Sequence, residues 1–106
     1  MNLLQKQQYY INLYDFYGDL LTEKQQIYFK DYYFDDLSLA EIAINHEVSR
    51  NAVYDSISKV YKLLENYEKK LGLLDKFQKR EKLFAEYKNF NEDKINEIIN
   101  KLQNIE

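Results

Sequence analysis

Arg50, Asn51, Tyr54, Ser58, Lys59 and Lys62 fall close together in the chain, and their side chains suit contact with nucleic acid. A guanidinium matches a guanine edge, and a carboxamide matches an adenine edge. Tyr54 can meet sugar or a thymine methyl. Lys59 and Lys62 can reach phosphate. Asp55 opposes an anionic ligand unless it pairs with Lys59 one helical turn later. Thr22, Ser38 and Ser49 stand where helices are expected to begin, and free backbone N–H groups there can also meet phosphate. The plainer role for these three hydroxyls is capping.

Other chemistries find little material. Cysteine is absent and His46 is the only histidine, so the common nucleophile–base pairs cannot be assembled. Glycine occurs only at Gly18 and Gly72, too few for a phosphate-binding loop. Asp35 and Asp36 form a carboxylate pair, but adjacent acids after a helix more often cap the next segment. No clustered ligand set suggests a metal. The sequence therefore predicts a non-enzyme without cofactor or metal. The eleven tyrosines are most simply buried rings with hydroxyls reaching polar partners. Tyr9-Tyr10 and Tyr32-Tyr33 also fit a stacking platform for single-stranded RNA.

The elements that must position these residues are helical. Proline is absent, and Leu, Lys, Glu, Gln and Ile are abundant, which predicts an all-α fold. Caps mark four helix starts. Thr22 with Gln25, and Ser38 with Glu41, have capping-box spacing. Ser49 between Val48 and Val53, and Asn91 between Phe90 and Ile95, have hydrophobic-staple spacing. The expected helices run over about 3–17, 23–34, 39–45, 50–71, 74–87 and 92–103. In the first, Leu4, Ile11 and Tyr14 are expected on one face. In the second, Tyr28, Phe29, Tyr32 and Tyr33 are expected inward. The fourth carries Val53, Ile57, Val60, Leu64, Tyr67 and Leu71 at coiled-coil spacing. It is longer than DNA reading needs, so it requires a partner surface: the first and fifth helices, or a second copy. The sixth repeats the spacing with Ile95, Ile98, Leu102 and Ile105, and near the chain end this favours a homodimer contact.

Residues 38–61 carry the most informative pattern. A short capped helix is followed by a turn and a second capped helix. Ile42 and Ala43 lie on the inner side of the first, Val48 plugs the turn, and Val53 with Ile57 form the inner face of the second. Ala43 is small where the helices must approach closely. That is the requirement of a helix-turn-helix, whose second helix presents its outer face to a major groove. A soft division at Gly72 separates residues 1–72, a helix-turn-helix domain, from residues 73–106, a C-terminal helical extension.

LLTEKQ, YYFDDLSLAEIA and VSRNAVYDSI, followed by LLENYEKKLGLLDKF, resemble the YlxM family of small bacterial proteins over roughly residues 10–78. The resemblance implies a helix-turn-helix bundle similar to region four of the sigma factors, with an added helical C-terminal part. It also implies a place in, or control over, the signal recognition particle pathway, beside whose genes that family's genes commonly lie. Similar motifs often place Leu-Gly before the Val-Ser, where this sequence has His46-Glu47. Glycine tolerates positive φ, which glutamate adopts only at a cost. Glu47 also places an acid near where phosphate should lie.

Charge is unevenly spread. The chain carries a net −3, with −5 in residues 1–48, +4 in 49–90 and −2 in 91–106. Nucleic-acid contact should lean on residues 49–90, since basic surface supplies much of that affinity. The N-terminus lacks the long apolar core of a signal peptide, and no apolar run approaches the roughly 20 residues of a membrane span. The expected location is the cytoplasm, with no membrane insertion. Three readings stay open. One is a double-stranded-DNA-binding regulator that dimerises through its C-terminal helices. A second is an accessory of the signal recognition particle that binds its protein or RNA. A third is a sigma-like module that contacts RNA polymerase.

Overall fold

The structure, a computed structural model, describes residues 1–105 and is all-α. Its six α-helices are α1 (Leu3–Tyr17), α2 (Glu23–Tyr33), α3 (Leu39–His46), α4 (Arg50–Leu71), α5 (Leu73–Lys88) and α6 (Asp93–Gln103), with a 3-10 turn at Gly18–Leu20. None is long and apolar enough to cross a membrane. The chain divides into two compact units, Met1–Gly72 and Leu73–Glu106.

Caps fix the helix starts in the first unit. The Thr22 hydroxyl accepts from the Gln25 N–H at 3.2 Å, and the Gln25 carboxamide accepts the Thr22 N–H at 3.0 Å. Ser38 and Glu41 make the same reciprocal pair at 3.1 Å each. The Ser49 hydroxyl accepts from the Ala52 N–H at 3.0 Å. Each bond satisfies donors that a helix start leaves free. Asn2 and Gln5 form a further capping box that opens α1. α4 ends where Gly72 takes φ 64° and returns its N–H to the Glu68 carbonyl at 2.8 Å. Only glycine takes that left-handed turn without strain.

α4 is the spine of the first unit and packs against α1, α2 and α3. Val53, Ile57, Val60 and Leu64 of the expected stripe are buried, Tyr67 is half-buried, and Leu71 is exposed. Of the partners expected for the helix, α1 packs against it as anticipated, and α2 and α3, which were not anticipated, do so as well.

The inner face of α1 differs from the expected one. Tyr10, Leu13 and Tyr17 are buried, Ile11 and Tyr14 are half-buried, and Leu4 is 76% exposed. The cause lies on α4. The Tyr10 hydroxyl donates to Glu65, and the Tyr17 hydroxyl donates to Glu68 at 2.7 Å. These tyrosines bury their rings and still find carboxylates, which turns α1 toward the aromatic side. Tyr14 instead stacks on Phe29 of α2, with centroids 4.4 Å apart. In α2, Tyr28 and Phe29 are buried, while Tyr32 and Tyr33 are half-buried.

In the second unit α6 packs against α5. Asn91 does not cap α6 as its spacing suggested. It sits at φ 51°, and its N–H returns to the Lys88 carbonyl at 3.1 Å. Asn91 thus closes the end of α5, a role asparagine fills because it tolerates the left-handed region. Glu92 precedes α6 without a side-chain cap.

Candidate nucleic-acid interface

Tyr28, Ile42, Ala43, Val53 and Ile57 form one buried cluster, with Tyr32, Leu37, Leu39, Val48 and Tyr61 packed around it. It joins α2, α3 and α4 into a single support. The turn between α3 and α4 closes tightly. Glu47 takes φ 56° and ψ 43°, its N–H reaches Ile44, and the Val48 N–H reaches the Ala43 carbonyl at 3.0 Å. These two returning bonds make a Schellman ending, with Val48 beyond the left-handed residue and Ala43 beneath it. A glutamate stands in the conformation that glycine would hold without strain.

With the inner face of α4 fixed, its other residues are directed by the roughly 100° turn between successive positions. Asn51, Asp55, Ser58 and Lys62 point broadly away from the core. Arg50 and Tyr54 lie toward α3, and Lys59 lies toward the start of α2. Arg50, Asn51, Asp55, Lys59 and Lys62 are exposed, Tyr54 is 55% exposed, and Ser58 is half-buried. Apart from half-buried Ser58, the sequence-predicted groups of α4 therefore face solvent, but they do not form one cluster.

Three hollows show the division. One, of about 270 Å³, is lined by Thr22, Lys24, Gln25, Tyr28, Ala52, Asp55, Ser56 and Lys59. Here the capped start of α2 meets the flank of α4. A neighbouring groove of about 450 Å³ is lined by Gln25, Lys59, Lys62, Leu63 and Asn66. On the opposite flank, Tyr54 and Ser58 border a smaller cavity with Tyr32, Leu39, Ile57 and Tyr61. Ser38 and Ser49 cap the starts of α3 and α4.

Several residues that the sequence did not assign to the interface face shape this surface. Lys24 stands over the Tyr28 ring, 5.6 Å from its centroid, beside Thr22. His46 Nε2 lies 3.0 Å from Asp31 Oδ2, tying the end of α3 to α2, while its ring meets Tyr28 edge-on. Tyr61 and Tyr33 share a hydroxyl–hydroxyl hydrogen bond, and burial pushes both phenols above their ordinary pKa. Both rings stay neutral at physiological pH, so this wall adds no anion to the interface. The identities of these residues gave a signal of burial or surface, but not of adjacency. On α6, Ile98 and Leu102 are exposed, Ile95 is half-buried, and Ile99 is buried; Ile105, beyond the helix end, is also exposed.

Residues 4–105 match the profile of a family described as "Putative helix-turn-helix protein, YlxM / p13 like", UPF0122. The chain belongs to this family. It is 49% identical over 100 residues to a UPF0122 protein of Listeria welshimeri, covering 89% of this chain and 91% of the relative. It is 50% identical over 100 residues to one from a Geobacillus strain, with the same coverage. A Bacillus cereus relative is 53% identical over 87 residues, 80% of this chain and 79% of that protein. In this UPF0122 chain, α3 and α4 are joined by the short turn of residues 47–49.

Proposed function

We propose that this UPF0122 protein is a regulatory protein of the cytoplasm that binds duplex DNA, reading a site with the outer face of α4. Arg50 and Asn51 meet base edges, and Tyr54 and Ser58 flank them. Lys59 and Lys62 reach phosphate, as do the helix starts capped by Thr22, Ser38 and Ser49. No cofactor takes part. The observation that carries this reading is the exposure of Arg50, Asn51 and Tyr54 at the start of a helix clamped through Val53 and Ile57 onto Ile42 and Ala43. The reading is tested by binding the full chain to random-sequence duplex across a salt series. With several phosphate contacts the affinity falls steeply with salt, while a salt-independent or absent interaction refutes it.

The protein acts as a homodimer in this proposal, joined through Ile95, Ile98, Leu102 and Ile105 of the helical extension 73–106. The exposed apolar stripe on α6 supports this. Sedimentation of Ile98→Glu should give a monomer where the parent chain is a dimer, and a monomeric parent rejects the interface.

A second reading is favoured by the acidic balance of residues 1–48 and by Glu47 at the turn. On it, the chain is an accessory of the signal recognition particle, binding that particle's protein or RNA without binding DNA. Running the same salt series against the particle's RNA separates the two.

A further inference from the structure

A cavity of about 90 Å³ opens beside the proposed reading face, lined by Tyr32 of α2, Leu39 of α3, and Tyr54, Ile57, Ser58 and Tyr61 of α4. Its mouth and floor differ. Tyr54 is 55% exposed at the rim, Ser58 is half-buried, and Ile57 is buried at the base. Leu39 directly follows the cap of α3, so the opening lies between the start of α3 and the second and third turns of α4.

Size and lining restrict the occupant. Cavities that hold whole small molecules run to roughly 300–1,000 Å³, so this one is too small for a free ligand. A water molecule's share of liquid volume is about 30 Å³, so the space equals about three such volumes. That suffices for a methyl group and the edge of the ring bearing it. The walls are three phenol rings, two aliphatic side chains and the half-buried Ser58, and the Tyr61 hydroxyl is already engaged by Tyr33. This mainly apolar lining suits an apolar guest. On the major-groove side of duplex DNA, the apolar group that projects from a base is the 5-methyl of thymine.

We propose that this cavity takes the 5-methyl group of a thymine, so that α4 selects that base by shape beside the bases met by Arg50 and Asn51. The proposal rests on duplex reading by α4 and extends it by naming the base, the group recognised and the residues that hold it. Tyr54 is the contacting wall. Tyr32, Leu39, Ile57 and Tyr61 position it.

The test uses a duplex enriched by the full chain from a random-sequence pool. Each thymine is replaced in turn by deoxyuracil, which removes the methyl and keeps the base pair. Burying one methyl is worth about fourfold in affinity. Binding should weaken by about fourfold at one thymine of each bound site, and that loss should vanish with Tyr54→Ala. Tyr54 is exposed enough for truncation to spare the fold, which circular dichroism checks. Salt-dependent duplex binding without a methyl-sensitive thymine overturns the cavity proposal alone, as does a full fourfold loss persisting in Tyr54→Ala. A pool that yields no bound duplex overturns the DNA reading and this proposal with it.

Discussion

The backbone N–H of Val48 donates to the carbonyl of Ala43 at 3.0 Å, and the bond closes α3 around a glutamate held at φ 56°. A side chain in the left-handed region costs roughly 1–2 kcal/mol relative to an unstrained residue. Part of that is offset by the extra freedom glycine gives the unfolded chain.

Glu47→Gly should therefore stabilise the protein by about 1 kcal/mol, read as a higher urea midpoint with unchanged slope. It also removes an exposed acid from the turn that precedes α4, so duplex affinity at low salt should rise. A lower midpoint would show that the turn is unstrained.

How much of this was legible in the sequence depended on whether a signal was local. Thr22, Ser38 and Ser49 act within one helical turn, so their cap spacing placed α2, α3 and α4 closely. The stripe from Val53 to Leu64 repeats regularly, so the inner side of α4 was also readable. The face of α1 was not, because apolar and aromatic residues surround that helix. The choice was made by Glu65 and Glu68, some fifty residues away in the chain, which receive the Tyr10 and Tyr17 hydroxyls. Asn91 misled for a related reason: a left-handed asparagine ends one helix as readily as it caps the next. Within the candidate site, Arg50, Asn51 and Tyr54 were legible as exposed from helical periodicity. The cavity joining Tyr54 to Tyr32 and Leu39 depends on packing between three helices, which periodicity does not encode.

The bond between Tyr17 and Glu68 is a second specific link between α1 and α4. Tyr17 is 1% exposed, so Tyr17→Phe keeps the buried ring and deletes only the hydroxyl. Hydrogen bonds to charged groups contribute about 1.5–3 kcal/mol, and Glu68 is only half-buried and can hydrate, so a loss of about 1–2 kcal/mol is expected in urea unfolding. An unchanged midpoint would mean that solvent replaces the bond fully.

Alkali should unfold the protein through its tyrosines. Burial, with Glu65 bonded to one and Tyr33 to the other, raises the folded-state pKa of Tyr10 and Tyr61 above the ordinary tyrosine value. Both hold their protons more tightly folded than unfolded. Their contribution is fully present below about pH 10, where unfolded tyrosine titrates, and is lost as pH rises toward the folded values. Stability measured between pH 8 and pH 11 should be flat at first and then fall. Tyr10→Phe should reduce the fall, and an equal fall in that variant would place the cause elsewhere.

The most direct test of α4 as the reading element is the affinity of Arg50→Ala for an enriched duplex and for a scrambled one, by fluorescence anisotropy at fixed salt. Arg50 is exposed, so the variant should keep the parental circular dichroism and unfolding midpoint. Loss of a good base contact costs about 1–3 kcal/mol, so binding to the enriched duplex should weaken roughly 5- to 150-fold, toward the scrambled value. Parental affinity and parental preference in a folded Arg50→Ala protein would contradict reading by α4.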